Sequence, residues 1–209
     1  MTEAMPMFPL GSVLVPSAGL PLHVFEPRYR ELVRDCLAGE GEFGVVLISR
    51  GSEVGGEDLR TDVGTVARIV ESAELPDGRW ALVAVGARRL RVVRWLTDDP
   101  YPRAQVVDWP DPVPGPGHGA ALAEVTGRLR RALALAAEAG DAAAPATIEL
   151  ATDPVLAGYQ AAAVAPIGPL DRQRLLEAGS PDERLATLAR MLGEEIEVLE
   201  LRLGSTGWE

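Results

Sequence analysis

Residues 7–30 read MFPLGSVLVPSAGLPLHVFEPRYR. Two short apolar runs, Met7-Phe8-Pro9-Leu10 and Pro21-Leu22-His23-Val24-Phe25, have the length and composition of strands, and a proline-bounded crossing joins them. Glu26-Pro27-Arg28-Tyr29-Arg30 then opens a helix, because proline is tolerated best at the first helical position, where its missing N–H costs nothing. Tyr29, Leu32, Val33, Cys36 and Leu37 recur at i, i+3, i+4, i+7 and i+8, and Gly39 stands where the helix should stop. One helix with one buried stripe therefore follows the two strands.

Beyond the helix, strand-like runs cover residues 43–50, 62–71, 79–85, 89–95 and 103–109. Pro76-Asp77-Gly78 is a turn signal between two of them, and Gly86-Ala87 reads as a tight link between the next two. The succession predicts an antiparallel meander. Leu90 and Val92 alternate with Arg89 and Arg91, which predicts one buried face and one wet face. The apolar phase changes at Val93, the mark of a bulge.

Residues 110–119 (PDPVPGPGHG) hold four prolines and three glycines. No helix or central strand tolerates that density, so the stretch reads as a linker between residues 1–109 and 120–209. The second part is helical. Leu122, Val125, Leu129, Leu133 and Ala136 mark a first helix, and Asp153-Pro154 opens a second that ends before Pro166. Pro169 opens a short third that stops at Gly179. Ser180-Pro181-Asp182-Glu183 is a capping box opening a long last helix. Its stripe of Leu185, Leu188, Leu192, Ile196, Leu199 and Leu203 needs a partner surface, which the three other helices can supply within a bundle. A monomer or a weak dimer is the expectation.

Composition excludes several chemistries. The 209 residues carry 20 basic side chains, all arginine, against 31 acids, for a net charge of −11. Without lysine there is no P-loop, Ser-Lys dyad, Schiff base or pyridoxal anchor. The acidic balance argues against nucleic acid and anionic membrane as partners. One cysteine rules out an intrachain disulfide, and two distant histidines, His23 and His118, make a zinc site unexpected. No apolar run spans a bilayer and no cationic leader opens the chain, so the expected location is the cytoplasm. No nucleophile elbow or H-E-x-x-H is found, and the glycines at 115, 117 and 119 stand among prolines rather than after a buried strand. Neither a cofactor nor a metal is expected.

The opening stretch resembles that of the Lon protease N-terminal domain family, also called the Lon substrate-binding domain. Phe8-Pro9-Leu10 and Pro21 to Arg30 match the family's FPL and PLHIFEPRYR runs nearly residue for residue. Phe43-Gly44, Val63-Gly64-Thr65, the Asp77-Gly78-Arg79 turn and Gly86 with Arg89 follow as further family landmarks. Gln173 to Glu177 and Arg184-Leu185 resemble the helical segment that follows. The resemblance implies an α+β fold: a PUA-like antiparallel β pseudo-barrel, then a C-terminal α-helical bundle. It implies a non-enzymatic module that recognises polypeptide segments or a protein partner, with a separate protease among the expected partners and neither ATPase nor protease activity of its own.

Glu26, Arg28, Arg30, Arg89 and Arg91 are the candidate partner-binding residues. Each has a plainer role to weigh. Glu26 is placed to accept free amides at the helix start. Tyr29 belongs to the buried stripe, His23 reads as a structural histidine, and Cys36 as a small hydrophobe. Arg88, Arg89, Arg91 and Arg94 form the densest basic cluster, with Arg79 and Arg103 near it in a meander. Because PUA domains bind RNA, an RNA surface is the alternative reading of this cluster. The first 110 residues nevertheless hold twelve arginines and sixteen acids, which favours arginines paired with acids on neighbouring strands. Of the four tryptophans, Trp80, Trp95, Trp109 and Trp208, the last stands at the terminus as a possible docking aromatic.

Overall fold

The computed structural model describes residues 3–50, 59–141 and 144–206. Trp208 lies outside them. The chain divides into two compact units, Met1–Pro110 and Asp111–Glu209.

The first unit holds six strands and one helix: β1 (Glu3–Leu10), β2 (Gly19–Val24), α1 (Pro27–Ala38), β3 (Glu42–Arg50), β4 (Leu59–Glu74), β5 (Trp80–Trp95) and β6 (Arg103–Asp108). The strand order is β2-β5-β4-β3-β1-β6, and β6 also pairs with β5, so five strands close into a ring. The sheet is mixed rather than antiparallel throughout, because β1 runs parallel to β3, with Met7 opposite Gly44. The crossing and α1 separate these two strands, and that length of chain lets the second return in the same direction.

Gly86-Ala87 is not a link between two strands. β5 runs unbroken through it, and its first half pairs with β2 while its second half pairs with β6. The β4 register shifts there, with Val66 opposite Arg88 and Ala67 opposite Gly86, so Ala87 is an extra residue that bends the strand. A Cβ on Gly86 would lie 2.3 Å from the Val15 carbonyl oxygen, so only glycine lets the crossing segment pass. The bulge expected near Val93 is present as a register shift between Val92 and Arg94.

Alternation along β1 sorts its side chains between two cores. Met5 and Met7 join Val46, Val66, Leu90, Val92, Ala104 and Val106 inside the ring. Phe8 and Leu10 point the other way, against Tyr29, Leu32, Val33 and Cys36 of α1. The ring interior is narrow. A Cβ on Gly44 would meet Met7 Sδ at 2.5 Å and Leu90 at 2.9 Å.

The second unit holds α2 (His118–Glu138), α3 (Pro154–Val164), α4 (Pro169–Leu176) and α5 (Pro181–Thr206). Asp153 caps α3 by accepting from the amides of Val155 and Leu156. Ser180 Oγ accepts from Glu183 N–H at 3.1 Å, while Glu183 reaches back to Gly179 N–H at 2.8 Å, a capping box displaced by one residue on its return arm. The α5 stripe is buried at Leu185, Leu188, Leu192 and Leu199, the first three against Leu129, Leu133, Ala161 and Leu175. The proline-rich stretch is fastened to these helices. Asp111 accepts from Arg184 and Tyr159, and Gly115 N–H donates to Asp182 at 2.7 Å.

Candidate functional site

β2 is the edge strand that shapes the site. Leu20, Leu22 and Val24 turn toward the core beneath, while Pro21, His23 and Phe25 turn outward and are exposed. Phe25 stands 57% exposed, a large aromatic left in water. The neighbouring strands continue the face by register: Pro21 lies opposite Val83, which lies opposite Glu71, and His23 lies opposite Ala81, which lies opposite Ala73. The result is a three-strand apolar surface with a carboxylate on its far strand.

Two hollows flank β2. One of about 100 Å³ lies under Phe25, between Phe8, Leu22, Glu26 and Tyr29. A shallower trough of about 320 Å³ runs over Pro21, Ala73, Ala81 and Val83 to Glu71. Leu22 and His23 line both, one hollow on each side of β2. Below the first, Phe8 and Tyr29 stack with centroids 4.2 Å apart and planes 14° from parallel. The Arg28 guanidinium lies 4.6 Å from the Tyr29 ring centre. This packing fixes the floor, while Phe25 stands exposed at the rim.

Backbone geometry limits what the open β2 edge can do. Gly86 N–H donates to the Ala18 carbonyl, so residues 20, 22 and 24 direct their backbone groups to β5, and residues 19, 21 and 23 direct theirs outward. Pro21 has no N–H to offer on that edge. A proline at this position blunts the pairing of an added strand.

The sequence candidates fall into three places. Glu26 lines the smaller hollow, but its side chain does not accept helix amides as expected. It takes Arg28 Nε instead, at 3.1 Å, because the arginine two residues on offers a full charge at the same rim. Arg30 lies elsewhere, with its guanidinium against Gly78 of the β4–β5 turn, where a Cβ would lie 2.1 Å from Nη2. Arg89 and Arg91 share Trp109, with guanidinium carbons 4.2 and 4.1 Å from the ring centre. The wet face expected at Arg89 is absent: it is 3% exposed, because the Trp109 backbone bonds to it and the indole covers it. Arg88 donates to Asp108 at 2.9 Å and Glu42 at 2.7 Å. Burial works to raise the Glu42 carboxyl, but hydrogen bonds from Arg88 and Arg68 outweigh it and hold the group below the usual carboxylate range. Arg88 thus spends its charge on β3 and β6, whereas Arg91 stays exposed beside the Trp109 ring.

Burial, with Asp35 adding to it, pushes the Cys36 thiol up to about 12, and Sγ donates to the Glu42 carbonyl. Among the described residues no three His, Cys, Asp or Glu side chains gather to hold a metal, and no helix is long and apolar enough to cross a membrane. His23 is exposed on the outward face of β2. Sequence reasoning passed over Phe25, Val83 and Glu71. The alternation Pro21-His23-Phe25 in an edge strand was the available signal.

A closed mixed sheet with an outward apolar edge, followed by a helical unit, is a known arrangement. The chain belongs to the family described as the ATP-dependent protease La (LON) substrate-binding domain, which matches residues 4–194. It is 30% identical over 204 residues to Lon protease 2 of Herpetosiphon aurantiacus, covering 96% of this chain and 25% of that protein. Lon protease 2 of Sorangium cellulosum is also 30% identical, over 211 residues, with 96% and 26% covered. The chain thus spans about a quarter of the length of these relatives. Among solved structures, a Lon N-terminal domain protein from Xanthomonas campestris is 32% identical with a TM-score of 0.65, covering 89% of this chain and 96% of that one. The N-terminal domain of Mycobacterium avium complex Lon protease shares the fold at 17% identity and a TM-score of 0.65, with 93% and 98% covered.

Proposed function

We propose that this chain binds exposed apolar segments of other polypeptides on the outer face of β2, β5 and β4, and that this region recognises without cleaving. The carrying observation is Phe25, an aromatic left 57% exposed at the rim of an apolar hollow, in a chain of the Lon substrate-binding family. Binding works by burial: a guest side chain enters the hollow under Phe25 and its neighbours lie along Pro21, Ala81 and Val83. Because Pro21 blunts the edge, side chains rather than an added strand supply the affinity. Handing the bound segment to a protease, in the cytoplasm, is part of this reading. We also take the closed first unit to be PUA-like and the second to be a helical bundle, which the strand ring and the shared leucine core support.

The test is binding of a reduced, carboxymethylated protein to the purified chain at low and moderate salt, with single-stranded RNA beside it. Saturable binding to the unfolded protein that survives salt is expected. Phe25→Ala should weaken it about five- to ten-fold, the worth of a partly buried aromatic anchor. RNA binding that collapses with salt and is lost with Arg91→Ala would overturn the reading.

A further inference from the structure

We infer that the β2 face selects segments in which the apolar anchor is flanked by lysine or arginine, with Glu71 as the selecting charge. This rests on the face being a polypeptide site and adds which polypeptides it prefers. The two hollows are lined by two carboxylates, Glu26 and Glu71, and by no arginine. Glu26 is already engaged by Arg28. Near Glu71, the other acids toward the β4–β5 turn are also taken: Glu74 accepts from Arg34 at 3.3 Å and Asp77 from Arg79 at 2.7 Å. Among the described residues no arginine pairs with Glu71. It is exposed, and strand register sets it in one row with Val83 and Pro21, at the end of the trough away from Phe25. A guest lying across that row brings its flanking residue to this carboxylate. A cation there gains an ion pair that the fold has left open, and an aspartate or glutamate meets repulsion.

The experiment uses the whole chain and three fluorescent peptides sharing one leucine- and phenylalanine-containing centre, with flanks of lysine, glutamine or aspartate. Anisotropy titrations at low salt should place the lysine peptide about two- to five-fold tighter than the glutamine peptide, and the aspartate peptide weaker by a similar factor, the range of one exposed ion pair. In Glu71→Gln the three affinities should converge on that of the glutamine peptide, with circular dichroism unchanged. If the spread persists in Glu71→Gln, the preference comes from the overall net charge of −11, and the assignment to Glu71 is wrong. Equal affinities for all three peptides in the unaltered chain would also refute it. If the glutamine peptide fails to bind, or binds Phe25→Ala equally well, the face itself is not the site, and both readings fall together.

Discussion

Replacing Asp111 with alanine tests whether the proline-rich stretch is structurally fastened to the helical unit. Arg184 is 1% exposed at its side chain and donates to Asp111 Oδ1 at 2.7 Å, while Asp111 itself is 12% exposed. The same guanidinium donates to the Tyr159 hydroxyl at 2.8 Å and to the Leu175 carbonyl at 3.1 Å, and Tyr159 donates to Asp111 Oδ2 at 2.6 Å. Asp111→Ala leaves a buried guanidinium without its counter-charge, a loss of about 3–5 kcal/mol. For a unit of roughly 100 residues, a urea dependence of about 1.5 kcal/mol per molar turns that into a midpoint about 2–3 M lower. Circular dichroism at 222 nm follows the helices, whereas three of the four tryptophans, Trp80, Trp95 and Trp109, lie in the first unit. The helical signal should therefore fall first in the variant. Tyr159→Phe removes only the bridging hydroxyl and should cost about 1–1.5 kcal/mol. Asp111→Leu combined with Arg184→Met removes both charges and should recover at least half of the single-variant loss. A shift below about 0.5 M for Asp111→Ala would refute the argument, because it would mean that the pair contributes no more than a surface salt bridge.

Three further outcomes can be checked. Gly64→Ala places a Cβ 2.1 Å from the Val45 carbonyl oxygen, a backbone atom in the paired strand, so we expect destabilisation beyond the usual range of point changes, about 3 kcal/mol or more by urea titration of tryptophan fluorescence; an unchanged midpoint would contradict it. Because the Glu42 carboxyl is held below its ordinary value of 4.5, its contribution is present in full above that pH and is lost as pH falls through the lowered folded value. The Tm gap between the unaltered chain and Glu42→Gln should accordingly close in acid, and a gap independent of pH would argue against the Arg88 and Arg68 account. Cys36, with its thiol raised to about 12, should resist alkylation at pH 8 until urea unfolds the first unit.

Most of the element boundaries were legible because their signals are local. Pro27 and Gly39 bracket α1, Asp153-Pro154 opens α3, and Ser180 to Glu183 opens α5, each through amide and dihedral requirements confined to a few residues. The parallel pairing of β1 with β3 had no local signal, because strand direction is set by where the chain returns and not by its composition. Gly86 misled for a related reason. Its smallness serves a neighbour from another part of the chain, the Val15 carbonyl, and a glycine needed for close passage looks the same in sequence as one needed for a turn. Arg89 misled because alternation shows which side of a strand a residue takes, and only the fold shows that Trp109 covers that side.

The same distinction explains why the densest charge cluster and the candidate site are different places. Arginine density is visible in sequence, but a charge matters to a partner only where its own fold leaves it unpaired. Arg88 is held by Glu42 and Asp108, and Arg89 is buried under Trp109, so two of the cluster's four charges are already engaged by the fold. On β2 the arithmetic runs the other way. The inner residues Leu20, Leu22 and Val24 would hold the strand in place whatever stood between them, so stability alone does not require an outward phenylalanine. A strand with Phe25 in water and Pro21 withholding a donor combines an adhesive surface with a blunted edge. Under the proposed function, that combination would take apolar side chains from a guest while resisting edge-to-edge pairing between copies of this chain. Phe25→Ala should then lower affinity for unfolded protein and leave the unfolding free energy within about 0.5 kcal/mol of the original, since surface changes rarely exceed that. A variant that lost stability in step with binding would show Phe25 to be a core residue in disguise, and the outward face would lose its claim as the site.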